Sequence, residues 1–351
     1  MALKIGIYAE HLECINYSVA YSLYLGGHKI VLITNKQRQD TQHKKYLQKI
    51  LNLSNSKTLD YRTIPIYLDV ICIDFTRDLA KKQLLKWCKK ARQTTAIFNF
   101  NGDTYWQNCS RQIKAVIKYF PLSFKYRNAV MLDSLSSIDP ISFLAKTHYF
   151  GFDVHSNFLG DRALLDLMFA FKWQPDIVRK YKINFLGNIE PETRTNILKE
   201  IKQYFNLTEL NTNTKKYLSR CNSYLIWHGY DSNTSNSERG CSAIEYISLL
   251  SDSDFTLCPP GYIRLTHRVV EALVRGSIPI LNQRELKLYD LNLEDEVNCI
   301  AVVNNNWVKA IDKALAIKPE QLLQMRCNIL QMKAKLLPEA AAEKLRAKIL
   351  D

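Results

Sequence analysis

The sequence predicts an α/β chain of two halves, each a mostly parallel sheet wrapped by helices, followed by a helical tail. Three observations carry this. Short apolar runs alternate with helical apolar patterns at the spacing of strand–helix–strand units. The alternation breaks near residues 165–182, at a Pro-containing stretch of mixed charge, and then restarts. The chain has 351 residues, more than one core usually serves, because single cores stop growing near about 250 residues.

In the first half, strands are expected at residues 4–8, 29–34, 68–73, 95–99, 129–132 and 146–151. The opening unit is compact. The run KIGIYA is followed by a short loop, the helical pattern INYSVAYSLYL, a stop at Gly26-Gly27, and the apolar run HKIVLIT. Helices at 15–25 and 79–91 show the clearest three- and four-residue apolar spacing. In the second half, strands are expected at 184–186, 224–227, 255–258, 277–281 and 299–303. Helices are expected at 192–205, 242–250, 266–274, 307–316, 321–335 and 338–350. The domain bounds that follow are 1–170, 181–335 and a terminal helix over 336–351.

Hydrophobic residues make up 47% and charged residues 23%, ordinary values that supply apolar material for two cores. Nine cysteines, an odd count with no CxxC pair, read as reduced core residues of a cytosolic protein. No cluster of Cys and His has zinc-ligand spacing. The first residues, MALKIGIYAEHLE, carry too short an apolar run for a signal peptide, and no stretch approaches about 18 uncharged apolar residues. A cytoplasmic protein is therefore expected. The net charge of +14 calls for an anionic partner: nucleic acid, an anionic membrane surface or a phosphate-bearing substrate.

The stretch SDSDFTLCPPGYIRLTHRVVEALVRGSIPIL, residues 251–281, reads as strand, loop, helix, strand. Pro259, Pro260 and Gly261 force a turn after the strand, with Tyr262 beyond them. Thr266 stands where it can cap the next helix. A helix N-terminus at a strand's carboxyl end attracts anions. Arg264 and Arg268 flank it and can clamp phosphate oxygens. Glu271, one turn on, can accept hydrogen bonds from ribose hydroxyls. A second strand–loop–helix start lies at INFLGNIEPETRTNIL, residues 183–198, where Gly187 permits close backbone approach and Arg194 offers another diphosphate contact. His228, in LIWHGYDSN, follows a further strand and can meet the donor base or sugar.

The pattern Ser253-Asp254-Phe255, Leu257-Cys258-Pro259, Gly261, Thr266, Arg268, Glu271-Ala272 and Gly276-Ser277-Ile278-Pro279 resembles the signature of the exostosin-family glycosyltransferases, glycosyltransferase family 47. About 30 residues match closely, with weaker likeness over 183–305. The capping position is Ser in many relatives and Thr266 here. The resemblance implies a GT-B architecture: two Rossmann-like domains facing across a cleft, the N-terminal one for the acceptor and the C-terminal one for the donor. It implies inverting transfer from a nucleoside-diphosphate sugar, with a UDP-sugar favoured and no essential cofactor or metal. Carried over, Arg268 would touch the diphosphate, Glu271 the ribose, and Thr266 a phosphate or the helix end. The acceptor would be a glycan or a lipid-linked glycan, in cell-surface polysaccharide synthesis.

Inverting transfer also needs a general base for the acceptor hydroxyl. It should come from the ends of the first half's strands or from a loop facing the cleft. Glu10, His11 and Glu13 follow the first strand, Asp103 follows the fourth, and Asp153 and His155 lie in GFDVHSN. His11 and Asp103 are the preferred pair. Asp252 and Asp254 form a D-x-D, which binds metal in another transferase class. Here Asp254 begins a strand, and no metal is expected.

The helix RDLAKKQLLKWCKKARQ carries Lys81, Lys82, Lys86, Lys89, Lys90 and Arg92. A solvated face is one reading and peripheral docking to anionic lipid at the inner face of the membrane is another. Nucleic-acid binding is the rival class for the whole chain, but no zinc-finger spacing, RNP motif or heptad-linked basic region appears. A nicotinamide-dependent enzyme is disfavoured because the first turn reads YAEHLE and not GxGxxG. A catalytically silent exostosin-like scaffold is the remaining alternative.

Overall fold

The computed structural model describes residues 2–8, 23–34, 58–60, 70–74, 95–100, 129–133, 162–188, 192–204, 209–211, 216–218, 224–229, 242–261, 266–287 and 291–350. The chain divides into two compact units. The first comprises residues 1–161 with 336–351, and the second residues 162–335.

The first unit is built on β1 (Lys4–Tyr8), β2 (Lys29–Thr34), β3 (Thr58–Asp60), β4 (Val70–Asp74), β5 (Thr95–Phe100) and β6 (Ala129–Asp133). Every neighbouring pair is parallel, in the order β3-β2-β1-β4-β5-β6. That is the doubly wound Rossmann order. Runs such as KIVLIT suit strands covered on both faces. The helix before β2 ends at Gly27, whose φ of 79° gives the left-handed turn that a glycine takes without strain. His28 follows, buried, and its Nδ1 accepts from the Leu3 amide at 3.2 Å. Burial holds the His28 imidazole below its ordinary pKa, with the Arg346 charge adding to the effect. The expected strand at 146–151, the helix at 79–91 with its lysines, and most of the helix at 15–25 lie outside the described residues.

The second unit opens with α1 (Arg162–Met168) and continues β7 (Tyr181–Asn188), α2 (Glu192–Tyr204), β8 (Glu209–Asn211), β9 (Lys216–Leu218) and β10 (Tyr224–Gly229). Then come α3 (Ala243–Ser251), β11 (Ser253–Leu257), α4 (His267–Val274), β12 (Ile278–Asn282), β13 (Ile300–Val302), α5 (Trp307–Leu315), α6 (Pro319–Gln331) and α7 (Lys333–Leu336). The last helix, α8 (Pro338–Leu350), is grouped with the first unit. Ser242 caps α3, its hydroxyl accepting from the Glu245 amide, and Asn306 caps α5 through the Lys309 amide.

The second sheet runs β13-β12-β11-β7-β10-β9-β8. Its strands are parallel except for β9 and β8, an antiparallel extension at the β10 edge. The first parallel strand, β7, therefore has β10 on one side and β11 on the other. The winding reverses between β7 and β11, and α/β sheets receive ligands at the carboxyl ends of strands at such a reversal. α2 packs with α5, and α3 with α4. Phe185, Phe255, Val270, Ile280 and Trp307 lie fully buried in the core. Burying side chains of this size contributes about 1.5–3 kcal/mol each.

The segment between α1 and β7 is pinned to the opposite end of this sheet. Arg179 donates to the carbonyls of Ser253 at 2.9 Å and Arg275 at 3.2 Å. Arg275 donates to Leu167 O and Ser251 Oγ, both at 2.8 Å. Trp173 Nε1 donates to Val274 O at 2.9 Å, and its ring lies over Gly276, where an added Cβ would come within 2.5 Å. These groups gather at the C-termini of α1, α3 and α4, where cations and N–H donors meet unpaired carbonyls. Asp254, 2% exposed, is held by Arg326 through Oδ1 and by Lys182 at 2.7 Å through Oδ2. Both oxygens of this half of the D-x-D are thus engaged by cations.

Candidate functional site

β7 ends in Phe185-Leu186-Gly187-Asn188, and β11 runs into Cys258-Pro259-Pro260-Gly261. α2 starts after the first of these ends and α4 after the second, so two helix N-termini and two strand ends meet at the reversal. Arg194 stands in the first turn of α2 and Arg268 in the first turn of α4.

Each arginine serves the other strand's turn. Arg268, from the β11 side, donates through Nε to Leu186 O of β7 at 2.8 Å. Arg194, from the β7 side, donates through Nη2 to Pro259 O at 3.3 Å. The glycines are crossed in the same way. Gly187 leaves the space into which the Arg268 guanidinium fits, and its φ of 155° is open to glycine. Gly261 leaves room for Arg194 Nη2, 2.8 Å from where a Cβ would stand. Between them lies Phe185, its ring centroid 4.6 Å from the Arg268 guanidinium and 5.8 Å from that of Arg194.

Arg268 is only 8% exposed, and its Nη1 is buried with no hydrogen-bond partner among the described residues. A buried, charged donor left unpaired is costly unless a ligand completes it. Glu271 is 1% exposed, and its Oε2 accepts from the Tyr246 hydroxyl of α3 at 2.6 Å. Burial and the Glu271 carboxylate push the Tyr246 phenol well above its ordinary pKa. Burial likewise pushes the Cys258 thiol up to about 12, against the pull of the Arg268 charge. Thr266 takes the extended backbone of an N-cap, with φ −131° and ψ 135°, but its side chain makes no capping hydrogen bond to α4.

Of the residues singled out in the sequence, Gly187, Arg194, Pro260, Gly261, Thr266, Arg268 and Glu271 all fall on these two turns and the helices they open. His228 is in register with Gly187 on the neighbouring β10. Tyr262, Arg264, His11 and Asp103 lie outside the described residues, as do Glu10, Glu13, Asp153 and His155. Two residues were not anticipated. Phe185 stood only as the first residue of the Phe185-Leu186-Gly187 stretch, with no role assigned to its ring. Tyr246 looked like part of an apolar helix stripe; the available signal was its hydroxyl, which a buried tyrosine must satisfy.

A family model described as RXYLT1 C-terminal domain matches residues 168–289, which include both turns. No curated protein matches the chain. Among solved structures, Anabaena HepE in complex with UDP and glucose is 9% identical, with 98% of each chain covered and a TM-score of 0.53. Sucrose-phosphate synthase from Thermosynechococcus elongatus is 13% identical, again with 98% of each chain covered and a TM-score of 0.53. TarM is 10% identical over 100% of this chain and 99% of its own, with a TM-score of 0.54.

This chain has the GT-B fold. At such low identities the likeness speaks for the GT-B fold alone. Among the described residues, no helix is long and apolar enough to cross a membrane, and no group of three His, Cys, Asp or Glu could hold a metal ion.

Proposed function

We propose that the chain is a glycosyltransferase that takes its sugar from a nucleoside-diphosphate donor bound at the β7/β11 reversal. The observation that carries the reading is the crossed pair of Arg194 and Arg268, with the buried Nη1 of Arg268 lacking a partner among the described residues. Two guanidiniums beside two helix N-termini suit a diphosphate, which is doubly charged and rich in acceptors. The same groups stabilise the diphosphate as it leaves. In this reading Glu271 would accept from the ribose hydroxyls, and His228 would meet the base or sugar.

Uridine is the proposed base. HepE was solved with UDP and with UDP-glucose, and one TarM structure with UDP, fondaparinux and alpha-GlcNAc-glycerol. The exostosin-like motif over 251–281 lies within the RXYLT1 C-terminal match, and on the motif's resemblance the proposed reaction is inverting transfer to a glycan or lipid-linked acceptor in cell-surface polysaccharide synthesis. His11 and Asp103 are the proposed general bases, and Tyr262 and Arg264 complete the proposed donor site. No metal takes part in the proposed chemistry.

Thermal-shift screening against UDP, GDP, CMP, ADP and NAD tests the reading. A ligand that binds only the folded chain stabilises it by about 2.7 kcal/mol at a hundredfold excess over Kd. The expected result is a shift with UDP that Arg268→Ala abolishes. No shift with any nucleoside diphosphate, under conditions where a known transferase responds, overturns it.

A further inference from the structure

Glu271 is the acidic group nearest the crossed arginines on α4, and a carboxylate at the end of a flexible side chain does not aim itself. The Tyr246 hydroxyl, 2.6 Å from Oε2, comes from a different helix, α3, so the bond fixes the carboxylate from outside its own element. Charge-assisted O–H···O bonds of this length are among the strong ones. The phenol stays a donor across any working pH, since burial and the Glu271 charge both oppose its ionisation. α3 is itself held: Ser242 caps its start, and Ser251 near its end accepts from Arg275.

We propose that Tyr246 is a positioning residue for the donor site: by occupying Oε2 it sets the plane in which the Glu271 carboxylate meets the ribose hydroxyls of the bound nucleotide. The inference rests on the reading of this site as a nucleoside-diphosphate site. Tyr246 touches no substrate; it acts through Glu271. A rigid supporting shell of this kind decides how much of a hydrogen bond's strength a site realises.

The test is calorimetric binding of UDP, 2′-deoxy-UDP and 3′-deoxy-UDP to the full chain, wild type and Tyr246→Phe, with thermal unfolding recorded alongside. Wild type should prefer UDP over at least one deoxy analogue by about tenfold or more, the scale of a hydrogen bond to a charged group. Tyr246→Phe should shrink that preference to within about threefold while leaving affinity for the deoxy analogue nearly unchanged. Equal losses for UDP and both deoxy analogues overturn the proposal, because packing alone weakens all three alike. Wild type that binds UDP with no hydroxyl preference overturns it as well. Wild type that binds no nucleoside diphosphate overturns the site reading itself, a distinct result.

If Tyr246→Phe does not fold, Glu271→Gln carries the test, since Tyr246 can still donate to the amide oxygen. The amide nitrogen then faces the ribose, and the bias against 2′-fluoro and 3′-fluoro analogues that a carboxylate imposes is lost. Persistence of that bias means the amide has turned freely, and Tyr246 holds nothing.

Discussion

The guanidinium of Arg268 occupies the place where a β-carbon on residue 187 would stand. Gly187→Ala should therefore force Arg268 off Leu186 O and strain a backbone that suits glycine, at a cost of about 1–3 kcal/mol. Removing the arginine relieves the collision. The double variant Gly187→Ala/Arg268→Ala should be less damaged than the two single effects combined, by about 0.5–3 kcal/mol, the usual scale for residues in contact. Urea unfolding of the four proteins measures this, and strict additivity is the result that contradicts the contact.

Arg268 serves two places with one side chain: Nε holds Leu186 O, and Nη1 is buried without a partner among the described residues, where the proposed diphosphate would meet it. A lysine has one nitrogen and cannot meet both. Arg268→Lys should keep the fold but weaken UDP by about tenfold or more, as loss of a charge-assisted hydrogen bond does. Titration calorimetry decides; an affinity within twofold of wild type would mean that charge alone suffices.

Asp254 and its two partners should respond unequally. Asp254→Ala leaves Arg326 as a buried cation without its carboxylate, and breaking a buried pair in this way costs about 3–5 kcal/mol. The Lys182 side chain is 53% exposed, so its replacement by alanine should cost less than about 1 kcal/mol. Equal effects in urea unfolding would contradict the assignment of Arg326 as the principal partner.

The Cys258 thiol supplies a pH signature. Its folded pKa is raised to about 12 from an ordinary 9.0, so its stabilising contribution is intact below pH 9 and is lost as pH rises toward about 12. Between these values the folded state holds the proton and the unfolded state does not. Stability should then fall by about 1.4 kcal/mol per pH unit for this one group. Cys258→Ala removes that slope, so the difference between wild type and variant, followed from pH 8 to 10.5, isolates it. Parallel curves would show that the thiol is not enclosed as described. Thiol-labelling reagents at pH 8 should correspondingly reach Cys327, half-buried, before Cys258 or Cys299, both fully buried.

Periodicity made most of the sheet legible. The strands at 4–8 and 29–34 and the helix at 338–350 fall where their apolar patterns place them, and β7 and β10 are longer than expected at their ends. The three-residue strands β3, β8 and β9 were missed because their sequences, TLD, ELN and KYL, carry too few apolar residues to mark a strand, whereas the equally short β13 lies in the apolar run 299–303. α1 was missed because the Pro-containing stretch after it reads as linker. The helix expected over 321–335 is two helices, with a break at Met332. At the site, the glycines and arginines were visible as residue types in a motif. The crossing was not, because it depends on which strand lies beside β7, and a sequence does not print its strand order. Tyr246 and Phe185 were hidden for the same reason. Each matters through a neighbour more than 20 residues away in the helix or strand beside it.

Residues 162–335 form one unbroken stretch, whereas the first unit is completed only by residues 336–351. During synthesis the chain therefore finishes its second unit while the first still lacks α8, whose Ala341 and Ala342 are buried in the final structure. At about 5–20 residues per second the first sheet waits roughly ten to forty seconds for that helix. The unit whose strands are made earlier is thus joined by its closing helix only after the second unit has been synthesised.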